Sequence, residues 1–568
     1  MNLAARSRGL FPVALLAFAT ALNLAAQSTT ATVVGTIYDQ TGAVMPNVKV
    51  TAVQQDTGQQ RSTTTNGEGA FVLRSLPIGQ YHLTAELAGF KKEEMTNIVL
   101  QIDQTAQLDF NMKPGQVGES VTVQATAPLL SVTSDVGAVV DNKRIVELPM
   151  NRREFLQLAE LEPGVVPPPP DTFLERNQGQ FTTLAAGGQR QEYQSVSING
   201  INNMDPQNNN LAVRPSVDAI QEFKIQTSNY SADQYSKGSV NINLAIRSGT
   251  NRFHGGLYEF FRNDHLDAKN FFDVSARTPP YHQNQFGGTF GGPIQRDRTF
   301  FFGAYEGARI RRSQTAVTIA PTIEQQQGIF DPALFGIIYD PNTLDAATGL
   351  RQPFPNNRIP ADRIHPISQK IQAFLPLPNN LRDPRRNLIS NPLEEDTIDQ
   401  YNTRVDHLFN GSNTIFGSYN ITDRYHVVPA VGGVGGGAAA GGQSQVGGAR
   451  FNDRSQHMSV GYTHIFSPTM LNELNVGFVR FQHNEIGRNQ GKVFESQFGI
   501  PGTETNPELA TWPTFNVTGY SFPSEGRTIQ YWNGTIQLQN SLIIQRGAHS
   551  IKLGGMGMRL FTFDANCT

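Results

Sequence analysis

The feature that most constrains the fold is a change of pattern inside residues 196–262. The first part, up to Ala245, is small and polar with short β-prone runs such as residues 240–244 (VNINL). From Asn251 the chain alternates and becomes aromatic, as in residues 255–262 (GGLYEFFR). The first pattern is typical of a soluble folded domain, and the second of the first strand of a membrane β-barrel. These residues alone leave open an ordinary β-rich secreted domain.

Later segments continue the alternation. Apolar Ile536, Leu538, Leu542 and Ile544 share one parity, with Gln537, Gln539 and Ser541 on the other, and Leu474, Val476 and Phe478 alternate in the same way with Glu473, Asn475 and Gly477. Apolar-out, polar-in alternation is the signature of a transmembrane strand. Beyond the N-terminus no apolar run reaches the ~20 residues of a spanning helix. If the chain enters a membrane, it therefore enters as a β-barrel.

The N-terminus has the pattern of a secretory signal. Arg6 and Arg8 precede an apolar run over residues 10–24, and small residues follow at Ala25 and Ala26. We predict a signal peptide over residues 1–26. The only cysteine, Cys567, excludes an intramolecular disulfide framework and a cysteine-based metal site. The net charge of −3 gives no reason to expect a nucleic-acid partner.

Residues 27–113 alternate in short segments separated by turn signals, such as residues 66–69 (NGEG), which predicts a β-sandwich. The segment resembles the carboxypeptidase regulatory-like domain, a transthyretin-type sandwich. The matching residues are Gly35, Asp39, Thr41, Gly42, Ala43, Pro46, Val48, Val50, Thr65, Asn66, Gly69, Phe71, Leu76, Gly79, Tyr81, Gly89 and Phe90. The resemblance implies no peptidase, because the single histidine, His82, cannot form a three-ligand zinc site.

Residues 216–225 (SVDAIQEFKI) and 230–242 (YSADQYSKGSVNI) are similar to the end of the plug domain of TonB-dependent outer-membrane receptors. Lys237-Gly238-Ser239 stands where that family commonly has a run of glycines, which indicates a subfamily. The expected fold is thus mostly β: an N-terminal sandwich, an α+β plug over 134–248, and part of an antiparallel barrel over 249–568.

Several segments of the plug and barrel have their own predictions. Residues 151–161 place Phe155, Leu158 and Leu161 on one helical face, with Asn151 as N-cap and Glu154 three residues on. Residues 148–155 resemble a plug segment of receptors that carry this N-terminal sandwich, and Arg153 stands where glycine is commoner in them. The asparagine-rich residues 199–210 are interpreted as a solvated turn. Residues 321–398 predict a long loop able to meet ligand, and the glycine-rich residues 432–448 predict a flexible segment.

The linker over 114–133 contains an extended, β-prone run: Glu119, Ser120, Val121, Thr122 and Val123. TonB-dependent receptors carry a coupling segment of this kind, the TonB box, before the plug. A free strand of this type is able to add to the sheet edge of a partner. The alternative is that these residues form the last strand of the preceding sandwich, and the sequence leaves both open.

Barrels of such transporters close with about 22 strands, whereas residues 249–568 contain roughly ten candidate strands by the alternation rule. We therefore expect the sequence to be the N-terminal portion of a longer chain.

No HExxH, GxSxG, Walker or paired-cysteine pattern occurs, so we expect no enzyme, no metal site and no cofactor. The family resemblance implies a receptor in the outer membrane of a Gram-negative-type bacterium, surrounded by lipid. It also implies a TonB-type energy-coupling protein in the periplasm and an extracellular small ligand: oligosaccharide, peptide or chelate. Two alternatives remain open at this point. One is a similar barrel used for adhesion or surface organisation, and the other is a secreted β-sandwich binding protein.

Overall fold

The computed structural model describes residues 30–566 except 116–119, 125–130, 167–183, 208, 233, 235–236, 274–276, 314, 381, 430–447, 502–505, 508–509, 514, 516, 518, 523–524, 526–527 and 547–548. The predicted signal peptide and all but the last residue of the glycine-rich segment lie outside these described residues. None of the helices in the described part is long and apolar enough to span a bilayer.

The N-terminal part is a β-sandwich, as the alternation predicts. One sheet has the order β4-β1-β7 with β8 also on β1, and the other has the order β3-β2-β5-β6-β9. Their aromatic and aliphatic faces meet in one core that includes Ile37, Leu83 and Phe110, each fully buried. The strands are β1 (Ala31–Asp39), β2 (Lys49–Gln54), β3 (Gln60–Thr64), β4 (Ala70–Leu76), β5 (Gly79–Glu86), β6 (Lys92–Leu100), β7 (Thr105–Gln107), β8 (Phe110–Met112) and β9 (Ser120–Gln124).

The plug is a second α+β unit built around a five-stranded sheet with the order β10-β15-β16-β13-β14. Its β13 and β16 run parallel, and the other neighbours are antiparallel. Phe155 packs edge-on against Phe223 at 5.7 Å in its core. The elements are β10 (Val136–Asp141), α1 (Asn142–Glu147), β11 (Val165–Val166), β12 (Ala185–Ala186), β13 (Ser195–Ile198), β14 (Ile201–Asn202), β15 (Ile220–Ser228) and β16 (Asn241–Ile246).

The helix predicted over 151–161 is wrong in its form. The structure has two 3-10 turns, Asn151–Arg153 and Phe155–Leu161, because Arg152 and Arg153 of the first turn take a left-handed conformation that interrupts a continuous helix. Asn151 makes no N-cap hydrogen bond from its side chain. Instead, Glu154 caps the second turn by accepting from the Leu156 N–H. Phe155 and Leu158 are buried as predicted, but Leu161 is 73% exposed at the end of the turn.

The C-terminal part is one antiparallel sheet of nine strands, in which each strand pairs with the strands that precede and follow it along the chain. Its strands are β17 (His254–Asn263), β18 (Tyr281–Gln295), β19 (Thr299–Ser313), β22 (Leu393–Asn410), β23 (Asn413–Pro429), β24 (Gly448–Ser467), β25 (Met470–Gly487), β26 (Ile529–Arg546) and β27 (His549–Asn566). Connections of two or three residues lie along one edge, the short-turn edge, and long connections along the other, the long-loop edge.

The long connections contain local structure that the sequence did not predict. β20 (Ala316–Thr318) and β21 (Leu388–Ser390) form a two-stranded antiparallel sheet at the base of the β19–β22 connection. This connection ends where β22 begins, at Leu393, and not near residue 398. Short helices are α2 (Ile323–Gln326), α3 (Pro332–Phe335), α4 (Pro366–Gln372) and α5 (Phe494–Phe498). Local capping, such as the reciprocal Thr322–Gln325 capping box, explains how so polar a segment folds.

Candidate functional site

The two faces of the nine-stranded sheet have opposite chemistry. On β26, Gln537, Gln539 and Ser541 are buried on the inner face, whereas Ile536 is 47% exposed on the outer face. On β25, Glu473 and Asn475 are buried, and Val476 is exposed. The predicted apolar-out, polar-in alternation is therefore confirmed, because side-chain direction reverses at every residue of a strand.

The plug packs against this polar inner face through neutral and charged polar groups, several of them neutral amides and hydroxyls. Asn199 Nδ2 donates to Ser418 Oγ at 2.9 Å, and the Asn202 N–H donates to Gln537 Oε1 at 3.0 Å. Asn533 Nδ2 donates to Asp205 Oδ1 at 2.9 Å. Neutral polar contacts of this kind exchange readily with water, so such an interface tolerates movement better than an apolar core.

The interpretation of residues 199–210 as a solvated turn is wrong. Asn199, Asn202, Asn203, Asp205 and Asn210 are all at most 4% exposed. The Asn203 side chain donates from Nδ2 to the carbonyl of Val213 and accepts at Oδ1 from the Val213 N–H. The prediction assumed that water would be the hydrogen-bond partner of these side chains. In the structure, the barrel wall and the plug itself provide hydrogen-bond partners instead.

Arg153 occupies the plug position where glycine is commoner in related receptors, and its backbone explains that preference. Its φ is +54°, in the left-handed region that favours glycine. The arginine side chain offsets this strain, because its guanidinium pairs with Asp218 and Glu306 and lies 4.3 Å from the Phe260 ring centroid. Tyr258 donates to the same Glu306 carboxylate at 2.9 Å. The buried charges thus form one plug–barrel network.

A cavity lies beside this network, where the plug meets the barrel wall. Arg214 on the plug pairs with Glu154 at 2.8 Å and also donates to the carbonyl of Arg153. Gln285 on the wall donates to the carbonyl of Arg152 at 3.2 Å. The cavity is lined by Arg152, Arg214, Gln285, Glu306, Ala308, Ile310, Asp396, Ile398 and Gln400. Its volume is about 30 Å³, which is room for one or two water molecules, and its guanidinium, carboxylate and amide groups are donors and acceptors for polar partners.

The wall above the cavity continues as a charged and aromatic surface on β22 to β25. Glu394 accepts from Arg312 and from His426 Nε2, each at 2.8 Å, and Asp396 takes a bidentate pair from Arg424. Between β24 and β25, His483 Nδ1 is 2.7 Å from the Asp453 carboxylate. The sequence did not single out these residues. The available signal was the recurrence of charged residues at the inward parity of adjacent strands.

The long loops join into a cap, which comprises the described residues of the ranges 314–392 and 488–528. Trp512 is 1% exposed at the centre of its aromatic core, with ring centroids of Phe374, Phe494 and Phe498 at 5.0–5.7 Å. Glu525 accepts from the Trp512 N–H at 2.7 Å, and burial raises the pKa of that carboxyl. Residues 321–398 were predicted as a loop able to meet ligand, and that role stays a prediction.

The predicted coupling segment falls in the sandwich sheet. Ser120, Val121, Thr122 and Val123 belong to β9, which pairs in parallel with β6, with Val121 opposite Glu93. Glu119 lies outside the described residues. β9 is at the edge of its sheet, so the pairing follows the second of the two alternatives left open by the sequence. The coupling role of these residues stays a prediction.

In the described part of the chain, no group of three or more histidine, cysteine or acidic side chains is arranged to hold a metal ion. His82 lies in β5, 3.6 Å from Glu94 on the neighbouring strand.

Comparison with known proteins agrees with this architecture. Residues 245–567 match the model of the outer membrane beta barrel domain, and residues 32–113 match the carboxypeptidase regulatory-like domain. The resemblance of the N-terminal sandwich is therefore confirmed. The barrel match also rules out the secreted sandwich protein without a membrane part.

A curated relative is the TonB-dependent transporter Oar of Myxococcus xanthus, 27% identical over 319 residues. The match covers 53% of this chain and 29% of the length of that relative. Similar solved structures include the outer membrane transporter YddB from Escherichia coli, with 10% identity, a TM-score of 0.46, and coverage of 75% of this chain and 48% of that one. Another is a ferric enterobactin receptor mutant from Pseudomonas aeruginosa, with 9% identity, a TM-score of 0.42, and the same coverages of 75% and 48%.

The curated relative is named as a transporter, not as an enzyme. The barrel match spans more than half of the sequence. This chain belongs to the outer membrane beta barrel domain family, and its place is the Gram-negative outer membrane.

Proposed function

We propose that the full-length protein is an outer-membrane receptor and transporter for a small polar ligand, driven by a TonB-type protein in the periplasm. The observation that carries the proposal is the placement of the plug. It lies against a polar barrel wall, with a mixed-charge cavity between the two. The relative named as a TonB-dependent transporter supports the same function.

The mechanism follows from the contacts. A ligand that binds to the wall at the edge of this small cavity competes for the Arg152 and Arg214 guanidinium groups and for the Asp396 carboxylate. Such competition weakens the contacts between plug and wall on one side of the plug. Ser120, Val121, Thr122 and Val123, with Glu119, are the proposed segment through which periplasmic force is applied. Oligosaccharide, peptide and chelate all carry the required polar groups.

The test compares cells that express the full-length protein with cells that lack it. Solutes that disappear from the medium are identified by untargeted mass spectrometry, with and without a functional TonB. We expect at least one polar solute to be depleted only when both are present. Arg152→Gln should abolish that depletion, whereas Arg351→Gln, at an exposed cap position, should not. Attachment of cells to a surface, unchanged by TonB and without any solute depletion, would instead favour an adhesion role.

A further inference from the structure

The sandwich contacts the barrel at its short-turn edge, at both ends of the nine-stranded sheet. Near the first strand, the Asn251 N–H donates to the Asp56 carbonyl at 2.8 Å. Near the last turn, Arg74 donates to Gln545 at 2.6 Å and to Ser550 at 2.7 Å. The two ends of a curved sheet lie on opposite sides of its arc. A single domain that touches both therefore lies across the mouth of the lumen, not beside it.

Two further contacts join the sandwich to the part of the nine-stranded sheet that lies between these two ends. Arg61 donates to the carbonyl of Gly411 in the turn between β22 and β23. Ser75 Oγ donates to Glu473 Oε1 at 3.0 Å. Burial lowers the pKa of both Arg61 and Arg74, so these cations are partly removed from water at the contact.

A loop of the sandwich also holds the plug. Its Ile102 N–H donates to the Glu222 carboxylate. Asp103, at φ +52°, accepts from Lys224 Nζ at 3.0 Å through its carbonyl and at 3.3 Å through its carboxylate. Gln234 donates to the same carboxylate at 2.7 Å. Strand β15 of the plug is thus tied to a domain that is itself tied to the barrel.

The contacts leave space where sandwich, plug and barrel meet. This junction cavity is lined by residues of all three parts, among them Pro77, Gly79, Gln221, Ser248, Phe300 and Arg404. Interfaces between domains that are polar and incompletely filled permit relative motion more readily than large apolar ones.

We propose that the N-terminal sandwich is a second closure of the lumen. It covers the short-turn mouth below the plug and separates from the barrel and from β15 as one unit. A solute that crosses the lumen then has to pass first the plug and then the sandwich. A shift of β15 within the barrel requires the Asp103 contacts to break or the sandwich to leave with the plug. This inference holds whatever ligand the protein takes.

The test measures access to the junction cavity in the purified full-length protein in detergent. With Cys567 and any further cysteine of the full-length protein replaced by serine, Gln221→Cys supplies one thiol, and its labelling by a bulky maleimide-coupled polyethylene glycol is timed. We expect slow labelling, and an acceleration of about tenfold when Arg61→Ala and Arg74→Ala remove the barrel contacts. Lys49→Ala with Lys113→Ala, two exposed cations of the same domain, is the matched control and should leave the rate unchanged.

A second measurement separates undocking from misfolding. Ser75→Cys and Glu473→Cys, in the same background without the Gln221 probe, should be joined by a short bis-maleimide. The joined fraction should fall when Arg61→Ala and Arg74→Ala are added, while circular dichroism shows an intact sandwich. Rapid labelling at position 221 in the otherwise unaltered protein, or no cross-link between positions 75 and 473, would overturn the proposal.

Discussion

Lys224 of plug strand β15 and Asp103 of the sandwich form an ion pair between two parts of the chain, with Nζ 3.3 Å from the carboxylate. Lys224 is 6% exposed, and its other partner, Asp135, is 2.8 Å away. Burial alone would raise the pKa of Asp135, but the hydrogen bond from Lys224 holds it below its usual value. A buried ammonium needs such partners, because the desolvation cost of an unpaired charge is large.

Lys224→Met should therefore destabilise the plug, because it leaves the carboxylates of Asp103 and Asp135 without their cation. We expect a loss of about 3–5 kcal/mol in the free energy of opening, read from hydrogen exchange of the β15 amides. Asp103→Ala should cost less, because Lys224 keeps Asp135. Equal exchange rates in Lys224→Met and the unaltered protein would contradict this account of the interface.

Glu222 makes the stability of the plug depend on pH. Burial raises its pKa to about 8, from 4.5, against the opposing hydrogen bond from the Ile102 N–H. The folded state thus binds this proton more tightly than the unfolded state. Below pH 4.5 Glu222 is protonated in both states and does not change the free energy of unfolding. Between pH 4.5 and about 8 it ionises in the unfolded state but stays protonated in the folded state, so the folded state loses stability as pH rises.

Glu222→Gln should remove that dependence. Relative to the unaltered protein, its stability should be similar at pH 4.5 and should improve by about 1.4 kcal/mol per pH unit up to pH 8. Calorimetric melting at several pH values measures the difference. Parallel pH profiles for the two proteins would show that Glu222 does not titrate in this range.

Arg153 combines an unfavourable φ with favourable charge contacts, and the two are separable. Arg153→Gly relieves the backbone but leaves Glu306 buried without its cation, so we expect a net loss of about 3 kcal/mol. Adding Glu306→Gln removes the more buried of the two carboxylates that lose Arg153, the other being Asp218, and should recover part of that loss, because Gln still accepts from Tyr258. Denaturant unfolding of the plug checks both variants. A double variant no more stable than the single one would show that the charge is not the cause.

Trp512 should control whether the cap is a folded unit. Trp512→Ala removes the ring at the centre of the aromatic core, and such substitutions cost about 3–5 kcal/mol. We expect protease added to intact cells to cut the cap much faster in this variant. Leu350→Ala is the control, because Leu350 is 70% exposed in the same cap. Equal cleavage of the two variants would mean that the loops do not share a core.

Val121 distinguishes the two roles of β9. Proline removes an N–H donor and fixes φ, whereas alanine keeps the backbone able to pair. Because β9 pairs with β6, Val121→Pro should lower the melting temperature of residues 27–124, and Val121→Ala should change it little. A coupling role predicts in addition that the proline variant of the full-length protein loses TonB-dependent solute depletion. Normal depletion at normal expression would remove residues 119–123 from that role.

The sequence determined which way each barrel residue faces. The period of a strand is two, so the identities of Gln537 and Ile536 decide inner and outer face without knowledge of any neighbour. The sandwich was predictable for the same reason, since its turns and alternation are local.

Only the tertiary structure decided what lies opposite each polar residue. Arg153 finds Asp218 and Glu306 far along the chain, and Asn199 is buried because Ser418 lies across from it. The same holds for Asp103 with Lys224 and for β9 beside β6. A polar side chain is exposed or buried according to whether a partner replaces its water, and local sequence does not contain that partner.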